Sequence, residues 1–213
     1  MNRLPIVRIA PSPDSVALAP FRGIGIERIC LPGDAAACAE ALRELLSDGG
    51  PIGFDTESRP TFRVGERSDG PHLIQFATRQ RAYLLRVAVP GCLDAARAVL
   101  ENHHLVKVGF GLKSDRSHLH SRLGIRLHAC IDLGSVLRYV GIKGQVGLRG
   151  AVAGLLQQAI PKSRRLATSN WASLGLSEAQ QRYAADDAFG ALQVFHALEP
   201  AVRQALLEQA LGD

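Results

Sequence analysis

The sequence predicts an α/β fold built on one mixed sheet. Three observations carry this reading. Short apolar runs in the first half read as an antiparallel meander. Strand and helix patterns then alternate, and only helical pattern follows Gly144. With 213 residues, 46% of them apolar and 21% charged, the chain has enough material to bury a core.

Residues 1–24 hold Pro5, Pro11, Pro13 and Pro20 without a clear period, which predicts an arm laid on the surface or disordered. Residues 25–213 are expected to form one domain. Gly25 to Leu31 alternates apolar and polar residues, as a half-exposed strand does. Asp34 is placed to N-cap a helix through Leu46, with Ala37, Ala41, Leu42, Leu45 and Leu46 as its apolar stripe. Pro51 to Glu57 is an apolar run finishing in acids, read as a buried strand whose C-terminal end carries chemistry. A turn-rich piece, Ser58 to Pro71 with Gly65, Asp69 and Gly70, separates it from strands at His72 to Ala77 and Arg81 to Val87. Helix, strand, helix, strand and helix follow at Pro90–Glu101, Leu105–Gly109, Leu112–Leu123, Leu127–Ile131 and Leu133–Tyr139. Helical pattern then covers Gly147–Gln158, the basic stretch Pro161–Asn170 and a long helix from Glu178 to Leu198. Ser177 and Gln180 form a capping box at the start of the long helix. Pro200 heads a last short helix.

No apolar run approaches the ~18–20 residues a membrane span needs. The N-terminus lacks the apolar region of a signal peptide. Cys30, Cys38, Cys92 and Cys130 are scattered and form no C-x-x-C pair, which predicts buried thiols in a reducing compartment and a cytoplasmic protein. A net charge of +5 and a pI near 9.3 fit either a polyanion-binding face or a solvated basic surface.

The acids are where chemistry is expected. Asp55 and Glu57 are two apart on a strand and share a face. Asp115 opens the helix after another strand. Tyr183 and Asp187 lie one turn apart on the long helix, above the small residues Gly190 and Ala191. Taken singly, each acid reads as a surface group. Together, four converging carboxylates repel and raise one another's pKa unless cations neutralise them. An oxygen-only set suits Mg²⁺ or Mn²⁺, and a pair of such ions ~3.5–4 Å apart serves phosphoryl displacement.

These residues carry a resemblance. F-D-T-E at Phe54–Glu57, V-G-F-G-L-K-S-D at Val108–Asp115 and Y-A-A-D-D-A at Tyr183–Ala188 resemble the three motifs of the DEDD superfamily of 3′–5′ exonucleases, the last in its tyrosine (DEDDy) form. P-K-S-R-R-L-A-T-S-N-W at Pro161–Trp171 is similar to the RNase D and Werner-type branch. S-R-P-T-F after the first motif looks closest to the Werner type. The resemblance spans about Ile26 to Leu198. It implies a ribonuclease H-like mixed sheet flanked by helices. It also implies a two-metal enzyme that releases 5′-monophosphates from single-stranded 3′ ends of DNA or RNA, and no membrane partner. In that scheme Asp55 bridges two Mg²⁺ or Mn²⁺ ions. Glu57 and Asp187 complete the shell of the ion beside the nucleophile, Asp115 anchors the other, and Tyr183 orients the attacking water.

Other readings stand beside it. The i,i+4 face selects Asp187, leaving Asp186 solvent-facing or a cap partner. Lys162, Arg164 and Arg165 suit either a phosphate grip or a solvated loop. Trp171 reads as a core residue before a stacking platform. Ser117 stands where the Werner type has an aromatic. The seven histidines receive no role. Gly109-x-Gly111-x-x-Ser114 with Asp132 mimics a dinucleotide fingerprint but lacks its third glycine. A non-catalytic nucleic-acid-binding module on the same fold is the alternative function. The chain ends about 15 residues after the long helix, which predicts a stand-alone catalytic domain.

Overall fold

A computed structural model describes residues 5–11, 17–61, 69–173 and 175–212. Pro13, Phe62 of the S-R-P-T-F stretch and Gly65 of the turn-rich piece lie outside the described residues.

The strands are β1 (Val7–Ile9), β2 (Ala19–Pro20), β3 (Ile29–Cys30), β4 (Ile52–Glu57), β5 (Leu73–Ala77), β6 (Ala82–Arg86), β7 (Lys107–Gly109), β8 (Cys130–Asp132), β9 (Leu137–Tyr139) and β10 (Gln158–Ala159). The α-helices are α1 (Ala35–Ser47), α2 (Cys92–Leu100), α3 (Leu112–Leu123), α4 (Leu133–Val136), α5 (Leu148–Ala151), α6 (Arg164–Ala167), α7 (Glu178–Ala197) and α8 (Pro200–Gly212).

Six strands form one sheet in the order β3-β6-β5-β4-β7-β8. The β4, β5 and β6 strands make the expected antiparallel meander, while β3, β7 and β8 pair in parallel at its two sides. Alternation along β4 sorts its residues. Ile52 and Phe54 join Ile74, Phe76, Tyr83 and Leu85 in the core shared with α1, α2 and α3. Gly53, Asp55 and Glu57 face α7, which crosses β4, β5, β6 and β7. At Gly53 the absent side chain matters, because a Cβ there would collide with the Ala188 carbonyl of α7. The helix therefore lies close enough to β4 to bring its polar residues to the strand end.

Helix starts follow the sequence. Asp34 Oδ1 accepts from Ala37 N at 2.8 Å. Ser177 and Gln180 form the capping box, Gln180 N donating to Ser177 Oγ at 3.3 Å and Ser177 N to Gln180 Oε1 at 3.0 Å.

Several short elements differ from expectation. Gly25–Leu31 is a 3₁₀ turn, Ile26–Arg28, followed by two strand residues. The helix expected over Leu133–Tyr139 stops at Val136, because Leu137–Tyr139 pairs in parallel with β1 of the arm. Gly147–Gln158 holds one α-turn, then a π-helical stretch, Val152–Leu156, and then β10 paired with β2. Only Arg164–Ala167 of the Pro161–Asn170 stretch is helical, capped by Ser163. The arm thus supplies pairing partners more than 100 residues away, and Ile9 and Ile24 are buried.

The four-thiol expectation is corrected: Cys38 and Cys92 form a disulfide joining α1 to α2, and Cys30 and Cys130 are free. The cysteines therefore give no support to a reducing compartment. Among the described residues no helix is long and apolar enough to cross a membrane.

Candidate active site

The apolar half of β4 anchors the strand, and its last three residues emerge at the sheet edge, half-buried. Carboxylate oxygens of Asp55, Glu57 and Asp187 lie within 4.8 Å of one another. Asp115 stands outside that trio. It is buried at the start of α3, and Thr56 Oγ1 donates to its Oδ1. Thr56 points to the α3 face of the sheet while its neighbours point to α7, so β4 holds acids from both layers.

The crowding sets the electrostatics. Burial first, then Asp187, Asp115 and Glu57, hold the Asp55 carboxyl well above the usual carboxylate range. Burial and the charges of Asp187 and Asp115 push Glu57 up to about 9. Asp187 is raised to about 7, chiefly by burial and against the attraction of Arg149. Asp115 is also raised by burial, partly offset by the Thr56 hydrogen bond. Among the described residues none of these acids is in an ion pair.

Tyr183 stands one turn before Asp187 on the same face of α7, and its hydroxyl lowers the Asp187 pKa against the effect of burial. Burial, then Asp187 and Glu57, raise its pKa above the ordinary phenol value. Its ring packs on Trp171 with centroids 5.9 Å apart. Trp171 is 1% exposed, so it supports the tyrosine from the core and offers no open face to a base. Asp186 points away from the cluster. Its carboxylate packs against Gly23 of the arm, and its pKa is raised by burial to about 6, offset in part by the Ile24 amide. Lys162, Arg164 and Arg165 are exposed on and beside α6.

Asp132 settles the dinucleotide reading. Its carboxylate accepts from Gly111 N at 2.9 Å, Leu112 N at 3.1 Å and Gly134 N at 2.9 Å. The amides that would cradle a pyrophosphate are already engaged by the protein.

Three residues escaped the sequence reading. Thr56 had only its place between two acids to signal it. Gln75 is fully buried opposite Asp55 in the β4–β5 register; its Nε2 lies 3.5 Å from Asp55 Oδ2 and its Oε1 has no partner. Arg149, half-buried on α5, had no local signal.

A mixed sheet of this order, with acids at its central strand end beneath a tyrosine-bearing helix, defines a ribonuclease H-like exonuclease architecture. Residues 33–203 match the 3′–5′ exonuclease domain family, and the chain belongs to that family. It is 27% identical over 167 residues to the bifunctional 3′–5′ exonuclease/ATP-dependent helicase WRN of Mus musculus, covering 78% of this chain and 12% of that protein. A 3′–5′ exonuclease of Arabidopsis thaliana is 26% identical over 150 residues, 70% of this chain and 52% of its own. The chain thus spans about half or less of these relatives. The Nibbler exonuclease domain of Aedes aegypti superposes with a TM-score of 0.73 at 24% identity, covering 88% of this chain and 99% of that one. Escherichia coli RNase D does so with a TM-score of 0.64 at 19% identity, covering 85% and 47%. These two likenesses establish the shared fold.

Proposed function

We propose that the protein removes nucleotides from the 3′ end of a nucleic-acid strand as 5′-monophosphates. The convergence of Asp55, Glu57 and Asp187 carries this reading, since these half-buried carboxylates crowd together and, among the described residues, form no ion pair. The donor set fits hard divalent cations: it is all oxygen, with ligand atoms of three carboxylates within 4.8 Å of one another. Asp55, Glu57 and Asp187 would hold one Mg²⁺ or Mn²⁺, and Asp55 with Asp115 a second. When bound, such ions supply the positive charge that an in-line phosphoryl displacement requires.

The chain's own groups do the positioning. Water attacks the phosphorus of the terminal phosphodiester, the P–O3′ bond breaks, and the shortened strand keeps its 3′-hydroxyl. A tyrosine keeps its proton at working pH, so Tyr183, one turn from Asp187, acts as a donor that orients the water beside the acids. Thr56 fixes Asp115. Lys162, Arg164 and Arg165 grip the strand's phosphates. The Trypanosoma brucei RNase D solved with RNA U12 shares this fold with a TM-score of 0.65, which supports a nucleic-acid substrate. Residues 25–213 form the catalytic unit, and the arm braces it.

The test is product analysis on 3′-labelled and 5′-labelled strands of DNA and RNA with Mn²⁺. Mononucleoside 5′-monophosphates from the 3′ end are expected. Cutting of closed circular strands, or tight binding with no hydrolysis, would overturn the reading.

A further inference from the structure

Arg149 lies where the short helix α5 docks on α7. Its neighbour Leu148 fills the space above Gly190, where a Cβ would stand 3.1 Å from Leu148 Cδ1. Gly190 is one turn beyond Asp187 and two beyond Tyr183, on one stripe of the helix. Docking at Gly190 therefore sets the next residue, Arg149, beside the acid cluster. Its positive charge acts on both Asp187 and Tyr183.

The guanidinium is held but largely unused. Among the described residues its only hydrogen bond is from Nη2 to the Pro161 carbonyl at 3.3 Å, and it joins no ion pair. Pro161 follows β10, which the arm ties down. Phe21 N donates to Ala159 O at 3.0 Å and Arg22 N to Gln158 Oε1 at 2.8 Å, while Gly23 packs against Asp186 of α7. A braced cation thus lies within electrostatic reach of Asp187 and Tyr183 without forming an ion pair among the described residues. A guanidinium stays charged at working pH and matches two phosphate oxygens with its planar fork.

We propose that Arg149 binds the non-bridging oxygens of the scissile phosphate and stabilises the charge that builds there during displacement. This rests on the exonuclease reading above. In such a role it is the protein's own counter-charge to the substrate, distinct from the exposed basic loop that grips the rest of the strand.

The experiment compares wild type, Arg149→Ala and Arg149→Lys on a 5′-labelled single-stranded oligonucleotide. Arg149→Ala is expected to lower kcat by roughly 100-fold or more at saturating Mn²⁺, a loss in the range of removing one preorganised donor. Arg149→Lys should recover only part of it, because charge is kept and the fork is lost. Added guanidinium should partly restore Arg149→Ala and leave wild type unchanged. In EDTA, binding of a fluorescein-labelled strand by Arg149→Ala should show a log K against log salt slope shallower by about 0.7, one phosphate contact's worth. An active wild type with an equally active Arg149→Ala overturns this inference alone. So does a loss that excess Mn²⁺ fully repairs, since Arg149 would then merely organise the acids. A wild type inert on every strand overturns the exonuclease reading and this inference together.

Discussion

Thr56 Oγ1 donates to Asp115 Oδ1, joining the residue between the two β4 acids to the acid that opens α3. The bond crosses from sheet to helix at the strand end, so the position of Asp115 depends on a side chain that carries no charge. Thr56→Val keeps the shape and removes the donor. Turnover should fall by roughly 10- to 100-fold, as expected when a partner that orients a ligand is lost, with Thr56→Ser near wild type. Steady-state kinetics with circular dichroism would check this. Equal activity of the valine variant would show that Asp115 needs no such support.

The paired aspartates of α7 do different jobs. Asp187 faces Asp55 and Glu57, while Asp186 packs against Gly23 of the arm. Asp187→Asn should lower kcat by orders of magnitude with little effect on stability. Asp186→Asn should retain most turnover and change stability little, because its amide oxygen still accepts a hydrogen bond and the residue lies off the acid cluster. Kinetics and denaturant melts on both variants separate them. The reverse assignment of the activity loss would mean that the catalytic face is misplaced.

Stability without metal should depend on pH in a definite direction. Glu57 and Asp187 are raised to about 9 and about 7, and Asp55 lies well above its ordinary value. Each folded-state pKa exceeds its unfolded counterpart, so the folded protein holds more protons in this window. Unfolding free energy then falls as pH climbs from roughly 5 to roughly 9. In EDTA, Tm should drop across that interval, and Glu57→Gln should flatten the drop. Mn²⁺ should stabilise more at the alkaline end, releasing protons as it binds. A flat or rising Tm in EDTA would contradict the crowding of these acids.

The basic loop is exposed and, among the described residues, free of ion pairs. Replacing Lys162, Arg164 and Arg165 together by Ala should weaken strand binding and flatten its salt dependence by about 0.7 per lost contact. Fluorescence anisotropy against salt measures this. An unchanged slope would return the loop to solvated surface.

Local pattern sufficed where elements are long or strongly signalled. The capping box and 20 residues of α7, and the apolar run of β4 ending in acids, made these two elements legible. It failed where structure comes from distant pairing. Leu137–Tyr139 reads as helix until Val7–Ile9 arrives beside it, and β10 exists only through β2. The Cys38–Cys92 bond joins helices 54 residues apart with no motif to announce it. The acids were legible because their types and spacing are particular to the chemistry. Gln75 and Arg149 were not, since a strand register sets one and helix docking the other.

The central claim is that the acid cluster, loaded with divalent cations, drives stepwise removal of nucleotides from the 3′ end. Its most direct test is a time course on a 5′-labelled single strand with wild type in Mn²⁺, wild type in EDTA, and Asp55→Asn in Mn²⁺. The account predicts a ladder shortening nucleotide by nucleotide for wild type in Mn²⁺, and an intact strand in the other two. Shortening that persists in EDTA, or at wild-type rate in Asp55→Asn, would contradict it.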